Sequence, residues 1–422
     1  MSGTISRRTL LRTGGQAMVA GGAAVCAGAA LPAVASSRRK VNGVDYYQKL
    51  GVTPFINAAG TYTALSASTM PDEVQAAVAL AARRPVNLNE LHQAAGEYLA
   101  KRLRCEAALI TAGAAAALTV GTAACVTAGG DPAILSIPTD MSGLKNEVIV
   151  QKSHRYGYDH AIRNCGVRFV EVETLEQYEQ AFNERTVMTH FFNAGEEHIS
   201  REDWLRVAHK HGVPCFNDAA ADVPPISNLW NYTQMGFDLV TFSGGKGLRG
   251  PQCTGLLLGR KDLIEAAKKN NSPNSNTIGR GMKVAKEEIV GLVAAVDWFL
   301  AQDDAAMEAE YHQRAERIAG QLKGISTVQT QIFVPPVANH IPHLLITYDQ
   351  SRIRITGAEV MQKLRQGTPR IELNPGTGGP PASAGLPGGS NTVVVGVWMM
   401  QPGEDLVVAK RLREVLQGAV GS

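Results

Sequence analysis

The chain has 422 residues, of which 45% are hydrophobic, so it can bury a large core and is expected to be a globular protein with more than one domain. The formal net charge of +3 comes from the N-terminus, because the first 35 residues hold three arginines and no acid, and the remainder has 38 basic and 38 acidic residues. This balance argues against nonspecific binding to nucleic acid or anionic membranes and favours a small-molecule partner.

The first 35 residues have the pattern of an export signal. Arg7 and Arg8 form a twin-arginine pair, and the small and apolar run that follows leads to Ala-Val-Ala at 33–35, which fits a signal-peptidase site. The run is too short and too rich in Gly and Ala for a stable membrane span. We therefore predict a twin-arginine signal peptide over 1–35, export by the twin-arginine machinery to the periplasm or beyond, and no stable membrane anchor.

The rest of the sequence predicts alternating helices and strands. Helices are predicted at 71–82, 91–103 and 204–211, and a long amphipathic helix, broken or bent along its length, at about 285–320. Short apolar runs predict strands at 107–111, 147–151, 168–172, 188–192, 214–217, 239–242 and 255–258. The alternation predicts an α/β fold with a mostly parallel sheet covered by helices.

Four parts are predicted along the chain. The signal peptide (1–35) is followed by an N-terminal segment (36–85), a large domain (86–300) and a smaller C-terminal domain (301–422). The segment 374–391 is rich in Gly and Pro and predicts an exposed loop.

No metal site is predicted. The cysteines include no Cys-x-x-Cys pair, and the histidine pairs His209-x-His211 and His340-x-x-His343 have no nearby carboxylate or cysteine that completes a ligand set.

Lys246 lies in the segment SGGKGLRGPQ (243–252), among four glycines and directly after a predicted strand. A Walker-type phosphate loop would need Ser or Thr directly after the lysine, at 247, but the chain has Gly247, so nucleotide hydrolysis is not predicted. Two interpretations remain. Lys246 is a solvated lysine in a glycine turn, or it forms a Schiff base with pyridoxal phosphate, for which the bare backbone leaves room.

Two further features fit pyridoxal phosphate. Asp218 follows a short apolar run and offers a carboxylate to the pyridine nitrogen, while Ala220 offers a small face to the ring. The turn at 111–115 joins a strand to a small-residue helix, where backbone N–H groups favour an anion. Each feature alone is weak, because a strand-end Asp is commonly a cap and an Ala-rich turn commonly reflects tight packing. In this order along an α/β chain they support each other.

The sequence resembles the selenocysteine-synthase-like branch of fold-type I pyridoxal-phosphate enzymes, near D-glucosaminate-6-phosphate ammonia-lyase. The resemblance covers about 55–296 and is carried by seven motifs in the same order: INAAGTYT (56–63), NELHQAAG (89–96), ITAGAAAAL (110–118), NEVIVQKSHRYGYDHA (146–161), NDAAADVPP (217–225), DLVTFSGGKGLRGPQ (238–252) and IGRGMKVAKEEIVGL (278–292). It implies an aspartate-aminotransferase-like large domain, a smaller α+β C-terminal domain, pyridoxal 5'-phosphate as the cofactor and at least a homodimer.

The resemblance also implies roles for individual residues. Lys246 would be the Schiff-base lysine and would move protons at the substrate's α carbon. Asp218 would pair with the pyridinium. Ser243 and the backbone N–H groups of Gly113 and Ala114 would bind the phosphate.

Further residues are implied with open alternatives. His154 would stack on the cofactor ring, or it is a helix-start histidine bonded to the backbone. Arg280 would reach a phosphate of cofactor or substrate across a dimer interface, or it is a surface arginine. Tyr62, Asn89 and Arg370 are candidates for the substrate site.

The implied activity is that of a lyase acting at the α carbon of an amino acid or amino sugar acid by α,β-elimination. A racemase or aldolase would use the same residues, and a noncatalytic cofactor-binding protein is a further alternative. Transfer to seryl-tRNA is disfavoured by the balanced charge. Because phosphorylated sugar acids are scarce outside the cytoplasm, we expect a free amino acid or an unphosphorylated amino sugar acid.

Overall fold

A computed structural model of the protein describes residues 43–193, 195–336, 338–380 and 385–421. The predicted signal peptide lies outside these residues. Thr53–Ser422 form one unit, and the short helix before it belongs to another. That helix, Tyr46–Leu50, begins after Asp45, whose carboxylate accepts the N–H groups of Tyr47 and Gln48. Across the described ranges, no helix is both long and apolar enough to cross a bilayer.

The helices and strands alternate over most of the chain. The helices are α1 (Tyr46–Leu50), α2 (Asp72–Ala81), α3 (Leu88–Arg102), α4 (Ala114–Thr127), α5 (Asp131–Ser136), α6 (His160–Arg163), α7 (Leu175–Ala181), α8 (Arg201–Lys210), α9 (Asn228–Met235), α10 (Lys261–Asn270), α11 (Lys286–Leu300), α12 (Asp304–Leu322), α13 (Gly357–Arg365) and α14 (Glu404–Gln417). The strands are β1 (Ile56–Ala58), β2 (Ala107–Thr111), β3 (Glu147–Gln151), β4 (Arg168–Val172), β5 (Thr186–Phe192), β6 (Cys215–Asp218), β7 (Leu239–Ser243), β8 (Gly255–Gly259), β9 (Gln329–Phe333), β10 (His343–Thr347), β11 (Ile371–Leu373) and β12 (Thr392–Gly396).

A seven-stranded sheet forms the centre, in the order β2-β8-β7-β6-β5-β3-β4. The pairs from β7 to β4 are parallel, and β8 runs antiparallel to both of its neighbours. The prediction of a mostly parallel sheet within an α/β fold is confirmed. Strands covered by helices on both faces are apolar throughout, which is why short apolar runs revealed them.

Helix α4 covers one face of this sheet, and most of its residues are buried. Gly121 lies against the ring of Phe216 on β6, where a Cβ would come within 2.5 Å of that ring. The start of α4 lies at the carboxyl edge of the sheet because the helix follows the end of β2 directly. The opposite face packs against α3, α8, α9 and α11 in a core that includes Phe191, Trp204 and Phe242.

The C-terminal region has a three-stranded antiparallel sheet in the order β12-β10-β9, whose core includes residues of α12, α13 and α14. Strand β1 pairs in parallel with β11, with Ile56 opposite Ile371, so the N-terminal strand packs into this second core. The domain boundaries at 85/86 and 300/301 stay predictions.

Several predicted helix limits are corrected. The break predicted within the helix at 285–320 is confirmed, since the segment forms α11 and α12, and the carboxylate of Asp303 caps the second by accepting the N–H groups of Ala305 and Ala306. Pro71 was expected inside its helix but is the N-cap of α2. Helix α3 starts three residues earlier than expected because the side chain of Asn87 caps it.

Candidate active site

Several predicted site residues lie at the carboxyl edge of the large sheet. Thr111 at the end of β2 pairs with Gly255 of β8, which pairs with Ser243 at the end of β7. A Cβ on Gly255 would lie 2.3 Å from the carbonyl carbon of Gly113. The turn before α4 and Ser243 are therefore neighbours across one row of the sheet.

The start of α4 has free donors. Its N-cap, Gly113, has a φ of 90°, and among the described residues it has no side-chain cap and a Cβ there would meet no atom within 4 Å. The first N–H groups of a helix lack partners within it and favour an anion. The N–H of Gly113 itself donates to the Thr111 carbonyl at 2.9 Å. The roles of Gly113 and Ala114 as phosphate donors stay predictions, and the next two residues of α4 offer further N–H groups at the same helix start.

The glycines around Lys246 allow close packing of its loop. A Cβ on Gly244 would lie 2.1 Å from Thr254 Oγ1, one on Gly245 would lie 2.5 Å from Gln252 Cα, and one on Gly247 would lie 2.0 Å from the Val223 carbonyl oxygen. Any side chain at these positions would displace the loop. The glycines thus hold Lys246 against the end of the sheet.

Lys246 itself is largely enclosed. Burial lowers the pKa of its ammonium, while the charges of Asp218 and Asp222 raise it. Its Nζ makes no hydrogen bond or ion pair with any described residue. A lysine with a lowered pKa has more of the neutral amine at neutral pH, which is the form that attacks a carbonyl.

Asp218 ends β6 and is buried. One carboxylate oxygen accepts the N–H of Ala220 at 3.0 Å, and the other accepts the hydroxyl of Tyr156. Burial raises the pKa of Asp218, and these hydrogen bonds and Lys246 lower it. Ala220, which is partly exposed, also accepts the Ser243 N–H at 3.2 Å, so it lies between Asp218 and the predicted phosphate site.

Asp222 is a second buried carboxylate beside Lys246, and sequence reasoning missed it. Its Oδ2 accepts hydrogen bonds from Asn193 at 2.5 Å and from the Tyr232 hydroxyl at 2.9 Å. Burial raises its pKa to about 6, with a contribution from the charge of Asp218. The available signal was its position four residues after Asp218 in NDAAADVPP.

The ring that contacts Asp218 is Tyr156, another residue that sequence reasoning missed within its quoted motif. Tyr156 stacks on Phe192 with ring centroids 3.8 Å apart. His154, predicted to stack on the cofactor, is fully buried. Its ring meets Phe191 edge-on at 4.5 Å and its Nδ1 accepts the Phe192 N–H at 3.2 Å. Burial lowers the pKa of His154 to about 4. His154 is thus bonded to the backbone in this structure, and its stacking on the cofactor stays a prediction.

None of the three candidate substrate residues makes a hydrogen bond or ion pair with Lys246 in the described ranges, and their roles stay predictions. Arg370 pairs with buried Glu372 at 2.5 Å. Tyr62 accepts a hydrogen bond from Asn374 at 3.0 Å, and burial raises its pKa. Asn89 lies on a different cavity of about 220 Å³ whose other lining residues are His92, Gln93, Leu109, Glu265, Lys268, Lys269, Asn271, Ser272, Pro273 and Asn274.

Arg280 is exposed, and its guanidinium donates to the Pro273 carbonyl at 3.5 Å. In the described part of the chain it does not pair with an acid. The N-terminal segment does reach the Lys246 loop, because Ser68 Oγ donates to the Gly245 carbonyl at 2.7 Å and Arg249 donates to the Thr69 carbonyl at 2.9 Å.

A group of possible metal ligands lies away from this edge. Single ligand atoms of His209, Cys215 and Asp238 lie within 4.8 Å of one another. Asp238 already binds Arg260 at 3.1 Å and the Cys215 N–H at 2.8 Å, and burial raises the pKa of the Cys215 thiol. The carboxylate is thus already neutralised within the protein.

The residues at the carboxyl edge fit pyridoxal phosphate. The uncapped start of α4 faces open space and suits a phosphate, buried Asp218 suits a pyridinium, and Lys246 suits an aldehyde. With the order of the large sheet, they define a pyridoxal-phosphate enzyme of fold type I, with pyridoxal 5'-phosphate as its cofactor. The chain belongs to the SelA family, described as L-seryl-tRNA selenium transferase, whose sequence profile matches residues 55–334.

Relatives in this family have different activities. The chain is 31% identical over 353 residues to a 5'-C-glycyluridine monooxygenase-decarboxylase of a Streptomyces species, covering 80% of this chain and 86% of the relative. It is 30% identical over 336 residues to the D-glucosaminate-6-phosphate ammonia lyase of Salmonella typhimurium, covering 76% and 87%. An L-seryl-tRNA(Sec) selenium transferase of Aquifex aeolicus is 28% identical over 236 residues, covering 47% and 49%.

Solved structures agree on the fold. A structure of D-glucosaminate-6-phosphate ammonia-lyase superposes with a TM-score of 0.74 at 28% identity and covers 89% of this chain and 99% of its own. A structure of SPT with pyridoxal phosphate, at 12% identity and a TM-score of 0.54, shares the fold alone.

Proposed function

We propose that this chain is an exported lyase that acts at the α carbon of an amino acid or amino sugar acid and releases ammonia by α,β-elimination. The observation that carries the proposal is the enclosed Lys246, held by glycines beside two buried carboxylates. The similarity to an ammonia lyase over most of both chains supports this reaction class.

The residues divide the work. When bound, pyridoxal phosphate supplies an electron-withdrawing ring that stabilises negative charge at the substrate's α carbon. Asp218 would hold the ring nitrogen protonated, and Ser243 with the first N–H groups of α4 would hold the phosphate. Lys246 Nζ would take the α proton. For a β-hydroxy amino acid, the net products are a 2-oxo acid and ammonia.

A second candidate reaction is oxidative decarboxylation at the same α carbon, because a relative at 31% identity is a monooxygenase-decarboxylase. A racemase or aldolase would also use Lys246 and Asp218. Selenium transfer to seryl-tRNA is less suited to a mature chain with balanced charge.

The test begins with cofactor attachment. We expect the purified mature chain to absorb visible light when pyridoxal phosphate is bound. Reduction with borohydride should then attach one cofactor covalently to Lys246, which mass spectrometry detects. Lys246→Ala should lose this attachment, and Lys145→Ala, at an exposed lysine, should retain it. A protein that takes up no cofactor would overturn the proposal.

The reaction is then assigned with a panel of D- and L-amino acids and amino sugar acids. Ammonia with a 2-oxo acid would support the lyase, whereas oxygen uptake with carbon dioxide would support the second candidate. Chiral inversion or aldehyde release would identify a racemase or aldolase. Bound cofactor without turnover on the whole panel would favour the noncatalytic alternative.

Export and assembly belong to the same proposal. The twin-arginine pattern at Arg7 and Arg8 supports transport of a folded, cofactor-loaded protein. Replacing both arginines by lysine should keep the protein in the cytoplasm, and a fractionation assay measures this. A homodimer is proposed because fold-type I enzymes build their sites at dimer interfaces. Light scattering on the purified protein tests it.

A further inference from the structure

Two side chains with a free hydrogen-bond donor border Gly60. Trp398 is 4% exposed, and none of the described residues accepts a hydrogen bond from its indole N–H. A Cβ on Gly60 would lie 3.4 Å from Trp398 Nε1 and 3.6 Å from Tyr62 Cε2, the ring carbon next to the one that carries the hydroxyl. Gly60 has a φ of 123°, which favours glycine. The indole N–H and the phenol ring therefore meet around one point that no side chain fills.

The hydroxyl of Tyr62 is the second free donor. Its oxygen accepts the Asn374 amide at 3.0 Å, and the same amide nitrogen donates to the Ala59 carbonyl at 3.2 Å. The Asn374 oxygen accepts the Gly376 N–H at 2.9 Å, which fixes the amide in this orientation. A phenol has one hydrogen, and within the described ranges the hydrogen of Tyr62 has no acceptor. Because unpaired buried donors cost free energy, the pair favours an acceptor from outside the chain.

Contacts of the segment after Tyr62 place this donor pair beside the reactive lysine's loop. Gln252 of the Lys246 loop donates to the Thr63 carbonyl at 2.9 Å. Further along the same segment, Ser68 donates to a carbonyl of that loop at 2.7 Å. The phenol therefore leaves the backbone directly before a stretch that is bonded twice to the Lys246 loop.

Contacts of Trp398 point to the same end of the large sheet. Trp398 packs with Ile341 in a small buried cluster. In the loop that carries Ile341, the Asn339 N–H donates to the Ala221 carbonyl at 2.7 Å. Ala221 lies in the segment that follows Asp218 at the end of β6. The donor pair is thus bordered by two segments, one bonded to the Lys246 loop and one bonded to the chain after Asp218.

The charges around the pair indicate which acceptor fits. Indole and phenol are neutral donors. Arg314 donates to the backbone carbonyls on either side of Trp398, at 3.2 and 2.7 Å, but it already pairs with Glu310 at 2.8 Å. Arg370 likewise pairs with Glu372. A phosphate or a second carboxylate would therefore lack an unpaired arginine at this point, whereas hydroxyl oxygens are neutral acceptors.

We propose that Trp398 and Tyr62 select a substrate with a hydroxylated side chain, as in an unphosphorylated amino sugar acid, by donating hydrogen bonds to its hydroxyl oxygens. The α carbon of this substrate lies toward Lys246 and its hydroxylated chain toward the C-terminal region. This inference rests on the proposed function and names the substrate class of the same site.

The test is the binding of D-gluconate to the full mature chain with pyridoxal phosphate added, measured by isothermal titration calorimetry. D-Gluconate has the hydroxylated chain but no amine, so it cannot react with the cofactor. Propionate, which has a carboxylate and no hydroxyl group, is the reference ligand. We expect D-gluconate to bind at least tenfold more tightly than propionate, because two hydrogen bonds are added. Equal affinities would overturn the inference.

Two variants remove one donor each. Trp398→Phe keeps an aromatic ring in the cluster and removes the N–H, so the affinity for D-gluconate should fall about tenfold and that for propionate should stay the same. Tyr62→Phe should have the same effect, and it keeps the test decisive if Trp398→Phe does not fold. Trp230→Phe, at a tryptophan that contacts Arg104 instead, is the matched control and should bind as the wild type does. Unchanged D-gluconate affinity in both site variants would refute the role of the pair.

This inference and the proposed function can fail separately, because D-gluconate binding involves no catalysis. A chain that binds D-gluconate through Trp398 and Tyr62 but never attaches pyridoxal phosphate at Lys246 would refute the proposed function alone. Ammonia release from the amino-acid panel, together with equal affinities for D-gluconate and propionate, would refute the role of the donor pair alone. In the active enzyme, both site variants should raise the KM for an amino sugar acid and leave the KM for serine unchanged.

Discussion

Replacing Tyr156 by Phe removes the hydroxyl that donates to Asp218 and keeps the ring that stacks on Phe192. Asp218 is 4% exposed, so water cannot replace the lost donor. The carboxylate would keep the Ala220 N–H at 3.0 Å as its remaining hydrogen bond. The variant therefore tests the charge state of Asp218 with little change in packing.

The expected loss of stability follows from the charge of Asp218, which accepts the hydrogen bond. A hydrogen bond to an ionised group contributes about 1.5–3 kcal/mol, against about 1 kcal/mol for a neutral pair. Because this hydrogen bond favours the ionised form, we expect the pKa of Asp218 to rise further in Tyr156→Phe. A carboxyl whose folded pKa is raised costs stability as the pH rises from its unfolded pKa through its folded pKa.

The assay is urea unfolding of the cofactor-free protein at pH 8 and near pH 4.5. At pH 8 both proteins hold Asp218 ionised, and we expect Tyr156→Phe to lose about 2 kcal/mol of unfolding free energy. The loss should be smaller at the lower pH, because burial raises the pKa of Asp218 and the folded carboxyl begins to bind a proton there, and a neutral carboxyl gains less from the Tyr156 hydroxyl. Equal losses at both values would show that Tyr156 stabilises by packing alone, and the reasoning would be refuted.

Three further changes separate site residues from structural ones. Gly247→Ala places a Cβ 2.0 Å from the Val223 carbonyl oxygen, so cofactor attachment at Lys246 should slow more than tenfold. The control Gly320→Ala, at a glycine with open space around it, should leave the attachment rate unchanged. Equal attachment rates in the two variants would contradict the close packing at Gly247. Arg370→Ala removes one of the two arginines that pair with buried Glu372. The free energy of unfolding in urea should fall by about 1–2 kcal/mol, and cofactor attachment should stay intact. A raised KM with unchanged stability would instead support Arg370 as a substrate-site residue. Arg280→Ala should change the free energy of unfolding by less than about 0.5 kcal/mol, because an exposed arginine with one long hydrogen bond contributes little to the fold. If Arg280 binds a phosphate, the same change should weaken cofactor binding about tenfold in a titration. Unchanged cofactor affinity would identify Arg280 as a surface residue.

The large sheet was predictable because its strands are buried on both faces. For β2, β3 and β4 the predicted and observed limits agree, since the apolar run and the strand coincide. Helix limits were less accurate because they depend on caps. Asn87 and Asp303 each start a helix through a side-chain hydrogen bond, and the sequence pattern placed neither start.

The pairing of strands from distant segments could not be predicted from the sequence. Strand β1 is three residues long and gives a weak apolar signal, and its partner β11 lies some three hundred residues later. The same limit applies to Asn89, whose motif suggested the substrate site but whose position on α3 faces another cavity. Neither fact is encoded in local spacing.

At the site, Lys246 and Asp218 were predictable because a phosphate turn, a strand-end carboxylate and a glycine-flanked lysine follow one another in that order along the chain. Asp222 and Asn193 escaped notice because their meeting depends on two turns at the ends of β5 and β6 rather than on spacing within one motif. Tyr156 was within a quoted motif, but the choice between it and His154 depends on which ring the turn after β3 directs toward Asp218.

The contact of the segment after β1 with the Lys246 loop has a consequence for biosynthesis. Ser68 donates a hydrogen bond to the Lys246 loop, and the preceding strand, β1, pairs with residues 371–373 of β11. A growing chain that has already made Lys246 still lacks β11, the partner of β1, so the segment that contacts the Lys246 loop is not yet held on that side. Because contacts so distant in sequence form slowly, this arrangement is completed only when almost all of the chain has left the ribosome. Cofactor capture should therefore be a late, post-translational event.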